Sequence, residues 1–297
     1  MPIFQTVVPI RNVDLGPDTT VEFAGGLRLA PKPSWMSTQS ILRRLSEIDR
    51  EDTNSASHAF VVSYEAASVN DPDPSWDGAY PKLIQESKHE LCVLANLALW
   101  LARPSPASFS VVVHAPQFGA EPVAQQVQRV SRLLCHPNDE HVRITDADLA
   151  SAVTLHQGLS SIERKAALFT TIRAVWAGLQ MNREEVRFVL FWIALEALFG
   201  PEDAREITYR LSQRLGFFLG RDRSEARDLF TTSKNGYAFR SKIVHGRWRD
   251  DVAATTRMAE TETILRRSMV RVLESPKFID VFSGKQREAF LDDLIFQ

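Results

Sequence analysis

Along the first half of the chain, apolar positions alternate or run in short blocks. TVVPI (6–10), TVEFAGGLRLA (20–30), HAFVVSYEA (58–66) and SFSVVVHA (108–115) are rich in Val and Phe at alternating positions, and so predict strands. One helical period interrupts them, in PKLIQESKHELCVLANLALWLARP (81–104). Pro81 stands near its start and Pro104 just past its end, which predicts a helix of about twenty residues. The polar segments DREDTNSAS (49–57) and NDPDPSWDGAYP (70–81) carry the Asp, Asn, Pro and Gly of turns.

From about Ser160 the alternation gives way to a period near 3.6. A helix is expected within SSIERKAALFTTIRAVWAGLQ (160–180). Asn182 then stands where it can cap a following helix, with Glu185 three residues on in a capping-box arrangement. That helix, about 183–199, is apolar on every side past Arg187 and belongs at the centre of a bundle. It stops at Gly200 and Pro201. The next helix carries Ile207, Leu211, Leu215 and Phe218 on one stripe, Arg210 and Arg214 on another, and ends near Gly220. A shorter helix around 224–232, a break at Asn235–Gly236, a separate helix carrying YAFRSKIVHGRW (237–248) and a long helix over 251–275 complete the pattern. The fold class predicted is α+β: a mixed α/β N-terminal region over 1–155 followed by a mainly α-helical bundle over 156–297.

Composition narrows the class. The chain has 297 residues, 44% of them apolar and 24% charged, as expected of a globular protein with a substantial core. The longest apolar runs, 91–102 and 188–200, fall short of the ~20 residues that span a bilayer. The start has neither a basic region nor a continuous apolar run of the secretory kind, so a cytoplasmic, non-membrane protein is expected. The 2 cysteines, Cys92 and Cys135, provide no disulfide framework and no CxxC zinc signature. Net charge is -2, yet residues 204–249 hold 11 Lys/Arg against 4 Asp/Glu, a local +7 that leaves -9 for the rest. A clustered basic region is the footprint expected for a polyanion such as nucleic acid. A solvated arginine-rich helix face explains the same charges.

Candidate chemistry centres on one carboxylate and one basic pair. Glu196 is the charged residue in the most apolar helix, where a carboxylate is costly without a partner. Either it makes a structural salt bridge to Arg240 or Arg210, or it orients a catalytic arginine or histidine. Arg240 and His245 stand five apart. With 27 arginines and 7 histidines in the chain, about 0.6 such pairs arise by chance, so the pair alone decides nothing. On an ideal helix, residues five apart differ by ~140° around the axis and ~7.5 Å along it. A joint site therefore requires the arginine to curl around, the helix to loosen at Gly246, or a second subunit to complete it.

Trp192, Leu195, Glu196, Leu198 and Phe199 on one helix, then Tyr237, Arg240, Ser241, Ile243, His245 and Gly246 on a later one, form a set. That set resembles the HEPN superfamily, most closely its Apea-like branch, over roughly residues 160–275. The resemblance implies a four- to five-helix bundle, usually a two-fold homodimer, with Arg and His of both subunits converging on one cleft. It further implies a metal-independent endoribonuclease in toxin-antitoxin, abortive-infection or other antiviral systems. Arg240 and His245 would be catalytic, Glu196 would orient them, and no cofactor would be needed. Candidate RNA contacts are Lys242, Arg247, Arg249, Arg210, Arg214 and Tyr237, the cations having solvation as their alternative reading. Transfer RNA is one candidate for the RNA, and a separate antitoxin or activator protein is a further candidate partner. Some family members paired with a nucleotidyltransferase carry a tyrosine before the histidine as a modification target, where this chain has Val244.

Two other readings of the bundle remain open: a module that binds RNA or a nucleotide without cutting, and a dimeric sensor or scaffold whose N-terminal half recognises a partner. Elsewhere, Cys135, His136, Asp139, Glu140 and His141 gather in CHPNDEH, a mixed metal-ligand set or a polar turn. His58, His89, His114 and His156 stand isolated and are expected to be structural or exposed. No GxSxG, P-loop or GxGxxG pattern occurs.

Overall fold

The computed structural model describes residues 3–68, 70–72, 83–116, 126–130, 142–164, 166–203, 205–247 and 252–296. The chain divides into two compact units, Met1–Ser160 and Ser161–Gln297. The division lies at the end of a helix, a few residues beyond the 155/156 boundary expected from sequence.

The first unit is mixed. Its strands are β1 (Ile3–Ile10), β2 (Val13–Asp14), β3 (Val21–Glu22), β4 (Leu27–Pro31), β5 (His58–Glu65), β6 (Val111–Pro116), β7 (Gln126–Arg129) and β8 (Val142–Arg143). Its helices are α1 (Gln39–Leu42), α2 (Glu47–Ser55), α3 (Ile84–Ala102) and α4 (Asp146–Ser160). A six-stranded antiparallel sheet runs in the order β3-β4-β5-β1-β6-β7, while β2 pairs with β8 in parallel. Central β1 and β5 are buried on both faces over most of their length, so they read as nearly continuous apolar runs. Gly25 and Gly26, both at positive φ, turn the chain between β3 and β4.

Helix α4 escaped the periodicity reading. Its start is nonetheless written in sequence: Thr145 Oγ1 accepts from the Asp148 N–H at 3.2 Å while Asp148 Oδ2 accepts from the Thr145 N–H at 2.9 Å, a reciprocal cap. The box expected at Asn182 and Glu185 does not form. The following helix starts at Glu184 behind Arg183, and no side chain caps it.

Two histidines of this unit are structural. His114 is fully buried and shares a 2.9 Å hydrogen bond with Thr6 Oγ1; His156 is fully buried, 3.3 Å from the Leu91 carbonyl, with Phe23 edge-on to its ring. Burial, and for His114 also the nearby His89, pushes each down to about 4.

The second unit is helical: α5 (Ala167–Leu179), α6 (Glu184–Phe199), α7 (Ile207–Leu219), α8 (Arg223–Val244), α9 (Val252–Leu273), α10 (Pro276–Ser283) and α11 (Arg287–Asp293). Helix α6 packs against α5, α7, α8 and α9, the central place its apolar circumference requires. Where α6 ends at Gly200, Arg214 donates to the Phe199 carbonyl at 3.3 Å, and Arg287 donates to the carbonyls of Ala197 and Gly200. Two arginines thus satisfy carbonyls that a helix end leaves without partners.

The expected break at Asn235–Gly236 does not occur. Residues 223–244 form one helix of 22 residues, and Gly236 lies buried in its interior. A Cβ there would come 2.7 Å from Trp192 Cζ2 of α6, so the glycine serves close helix approach and not chain reversal. Trp192 is fully buried, with the Tyr237 ring edge-on at 5.5 Å. Burial of an aromatic side chain contributes about 1.5–3 kcal/mol, more than the ~1 kcal/mol that an interior glycine costs a helix.

One prediction tests this packing and a second the buried histidines of the first unit. Gly236→Ala would stabilise an isolated helix, but here overpacking should cost about 1–3 kcal/mol. The urea midpoint should fall, and an unchanged or raised midpoint would refute the close-approach role. His114 and His156 titrate in the folded chain below the usual histidine value, so the unfolded chain takes up protons first as pH falls. Their contribution is complete above pH ~6.5 and is lost between there and about 4. His114→Gln should flatten the fall in urea midpoint over that window; an equally steep fall would assign the loss to other groups.

Candidate functional site

The C-terminal half of α8 and the facing turn of α6 bring Glu196, Tyr237 and Arg240 together. Arg240 lies 3.3 Å from Glu196 Oε1, with both side chains about three-quarters buried. Its guanidinium sits 5.5 Å from the Tyr237 ring centroid. Burial, then a hydrogen bond to Glu196 and the charge of that carboxylate, pushes the Tyr237 phenol up to about 12. The carboxylate in the most apolar helix is thereby accounted for: it faces an arginine and a neutral phenol across the α6–α8 contact. Of the two arginines weighed as partners for Glu196, only Arg240 reaches it.

His245 stands where α8 ends. It is the C-cap residue, exposed, with its N–H on the Ser241 carbonyl at 3.1 Å. Gly246 follows at φ 70, its N–H on the Ile243 carbonyl at 2.9 Å, and the Arg247 N–H reaches the Lys242 carbonyl at 2.8 Å. This is the Schellman closure, which requires a residue tolerant of left-handed φ after the cap. The His-Gly pair therefore has a local structural reason as well as a chemical one. Among the described residues, no hydrogen bond or ion pair joins Arg240 to His245. Along α8, Arg240 lies on the α6 side while His245 belongs to the exposed face, in keeping with a separation of ~140°.

The remaining predicted contacts divide. Lys242 and Arg247 are exposed beside His245, where their charge also complements the carbonyl end of the helix. Arg249 lies outside the described residues, as do Cys135, His136, Asp139, Glu140 and His141. Arg214 cannot serve as an RNA contact. Its side chain has 0% exposure, and its guanidinium is held 2.6 Å from both Glu288 and Asp292. Burial pulls that guanidinium down, but the bonds to the two carboxylates outweigh it and keep the arginine charged. Arg210 turns to the same carboxylates, at 3.4 and 3.6 Å. Arg205 pairs with Asp203, and Arg221 with Glu225. Much of the basic excess read from sequence is thus neutralised by Asp203 and by acids of α8 and α11, which the window 204–249 only partly includes.

Sequence reasoning missed a second basic feature. Tyr209, Gln213 and Phe217 on one face of α7, with Arg223, Arg227 and Phe230 on α8, line a groove of about 760 Å³. The signal lay in the spacing of Arg223, Arg227, Phe230 and Lys234, which recur at three- and four-residue intervals and so share one face of α8.

Among the described residues, no group of three or more His, Cys, Asp or Glu is placed to hold a metal ion, and no helix is long and apolar enough to cross a membrane. No family model, curated protein or solved structure matches the chain.

A double-mutant cycle tests the Glu196–Arg240 pair. Glu196→Gln and Arg240→Gln should couple by about 1 kcal/mol in urea unfolding, the range for a partly buried ion pair. Strict additivity would show that Glu196 does not hold Arg240.

Proposed function

We propose that the protein is a metal-independent endoribonuclease of HEPN type, with the helical unit as its catalytic bundle. The observation that carries this reading is the Glu196–Arg240 pair. The two residues that the resemblance names on separate helices meet at 3.3 Å, with Tyr237 beside them. A histidine has an ordinary pKa near ~6.5 and can take the proton of a ribose 2'-OH or return one to the leaving 5'-oxygen. Exposed at the helix end, His245 is accessible to such a substrate. An arginine is permanently charged and planar, and can hold the scissile phosphate as its charge grows. Attack of the 2'-oxygen on phosphorus, with departure of the 5'-oxygen, leaves a 2',3'-cyclic phosphate and a 5'-OH. DNA has no such nucleophile and is not a substrate.

The orientation of Arg240 and His245 on α8 favours a site shared between two copies, Arg240 of one protomer working with His245 of its partner. Glu196 then acts as a positioning residue, fixing the guanidinium through Nη2. Lys242 and Arg247 add phosphate contacts at the same helix end. A role in antiviral defence or as a toxin, restrained by a separate antitoxin or released by an activator, extends this proposal on the strength of the resemblance alone. A second reading draws on the same ion pair. An arginine already paired with a carboxylate stabilises the growing charge of a scissile phosphate less, which suits a bundle whose exposed Lys242 and Arg247 grip RNA without cutting it.

Wild-type protein and His245→Ala, incubated with mixed tRNA and structured RNA in EDTA, separate the two. Cutting by wild type alone, with cyclic-phosphate and 5'-OH ends and a loss of at least about 100-fold in the variant, is expected for general acid–base catalysis. Folded wild type that binds the pool and leaves it intact would replace the ribonuclease with the binding module.

A further inference from the structure

We propose that the groove between α7 and α8 is a track for a single RNA strand, leading along the exposed face of α8 to His245. The destination at His245 rests on the ribonuclease reading; the groove itself does not. At 3.6 residues per turn, Arg223, Arg227, Phe230, Lys234, Ser241 and His245 fall within an arc of about 60° on α8. The centre of that arc lies about 105° from the centre of the buried face formed by Leu229, Ser233, Gly236 and Tyr237, and its Phe230 edge adjoins Tyr237. Because the helix continues through Asn235–Gly236, the alignment holds over its length. Phe230 stands ~22 Å from His245 along the axis at 1.5 Å per residue, a span of several nucleotides.

The chemistry of the lining favours a nucleic-acid strand. Tyr209 and Phe217 are 49% and 44% exposed, unusual for large rings on a surface, and Tyr209 meets Phe230 at 5.3 Å with the rings nearly perpendicular. Aromatic rings open to solvent offer faces on which unpaired bases stack. Arg223 and Arg227 are exposed, and among the described residues neither forms an ion pair, in contrast to Arg221, which is tied to Glu225 at 2.8 Å. Their charge remains for phosphates. Lys234 stands 5.9 Å from the Phe230 ring centroid and carries the cationic line towards the helix end. Asp222 is the acid in the lining, and it is engaged as the N-cap of α8, accepting from the Glu225 N–H at 2.9 Å. Free cations interleaved with exposed rings are the combination that binds single strands with little sequence preference. A second copy of this chain would instead have to bury Arg223 and Arg227 against acids, and the groove offers it like charge.

The test uses the full chain carrying His245→Ala in EDTA, with a fluorescein-labelled 12-nucleotide oligouridylate, and reads anisotropy across a salt series. Arg223→Gln/Arg227→Gln should weaken binding at least about tenfold and reduce the slope of log affinity against log salt by about 1.4, two phosphates' worth for a single strand. Phe217→Ala, at an exposed position whose loss leaves the core intact, should weaken binding several-fold and leave that slope unchanged. Affinity and slope equal to those of the parent in both variants would overturn the track. So would a change in sedimentation from dimer to monomer with RNA affinity retained, which would give the groove to a second copy. Cleavage by wild type, with groove variants that bind normally, would remove the track and keep the ribonuclease. A wild type that never cuts, with groove variants that lose affinity, would remove the ribonuclease and keep the groove.

Discussion

The packing of Trp192 against Gly236 sets the arrangement of the helical unit. A fully buried indole on α6 occupies the space that a side chain at residue 236 would need, and α8 crosses α6 at that point without interruption. Interior packing is dense enough that one methyl group is felt. The consequences run both ways along α8. One turn towards the C-terminus, Tyr237 and Arg240 meet Glu196, and beyond them the helix closes on His245 and Gly246. In the other direction, Arg227 and Phe230 reach the groove shared with α7. A chain reversal at Gly236 would have separated these two features onto different elements.

Charge in this unit is divided between structure and solvent by burial. Arg214 and Arg287 close the end of α6 from beneath, one donating to Phe199 and the other to Ala197 and Gly200, and Arg214 also holds Glu288 and Asp292 of α11. Removing either partner of such a cluster leaves an uncompensated charge, so these residues are committed to the fold. Arg240 is intermediate: held by Glu196, stacked near Tyr237, and partly open. Arg223, Arg227, Lys242 and Arg247 remain at the surface. A formal count over residues 204–249 cannot make this distinction, because the acids that silence Arg210 and Arg214 come from α11, some eighty residues along the chain.

Sequence alone determined a good deal. Alternating apolar residues marked β1, β4, β5 and β6, the 3.6-residue period marked α3, α7 and α9, and an all-round apolar run marked α6, because those signals need only the chain's own geometry. The α+β class, with strands first and helices after, followed from them. Glu196 in an apolar helix demanded a cationic partner on solvation grounds, and two arginines were in contention. The stops at Gly200 and Gly220 were likewise local.

Only the tertiary structure decided the rest, in each case because the deciding partner is remote in sequence. Asn-Gly is a turn signal until an indole 44 residues earlier makes the glycine a packing site. The capping box at Asn182 was available but unused, whereas that of Thr145 formed at the start of a helix whose weak period had hidden it. Arg214 passed from candidate RNA contact to buried strut through Glu288 and Asp292, and Glu196 chose Arg240 over Arg210 by distance. The groove appeared once α7 lay beside the N-terminal half of α8. Local rules assign what a residue can do with its neighbours in the chain; burial and the distances across helices select which of those capacities the folded protein uses.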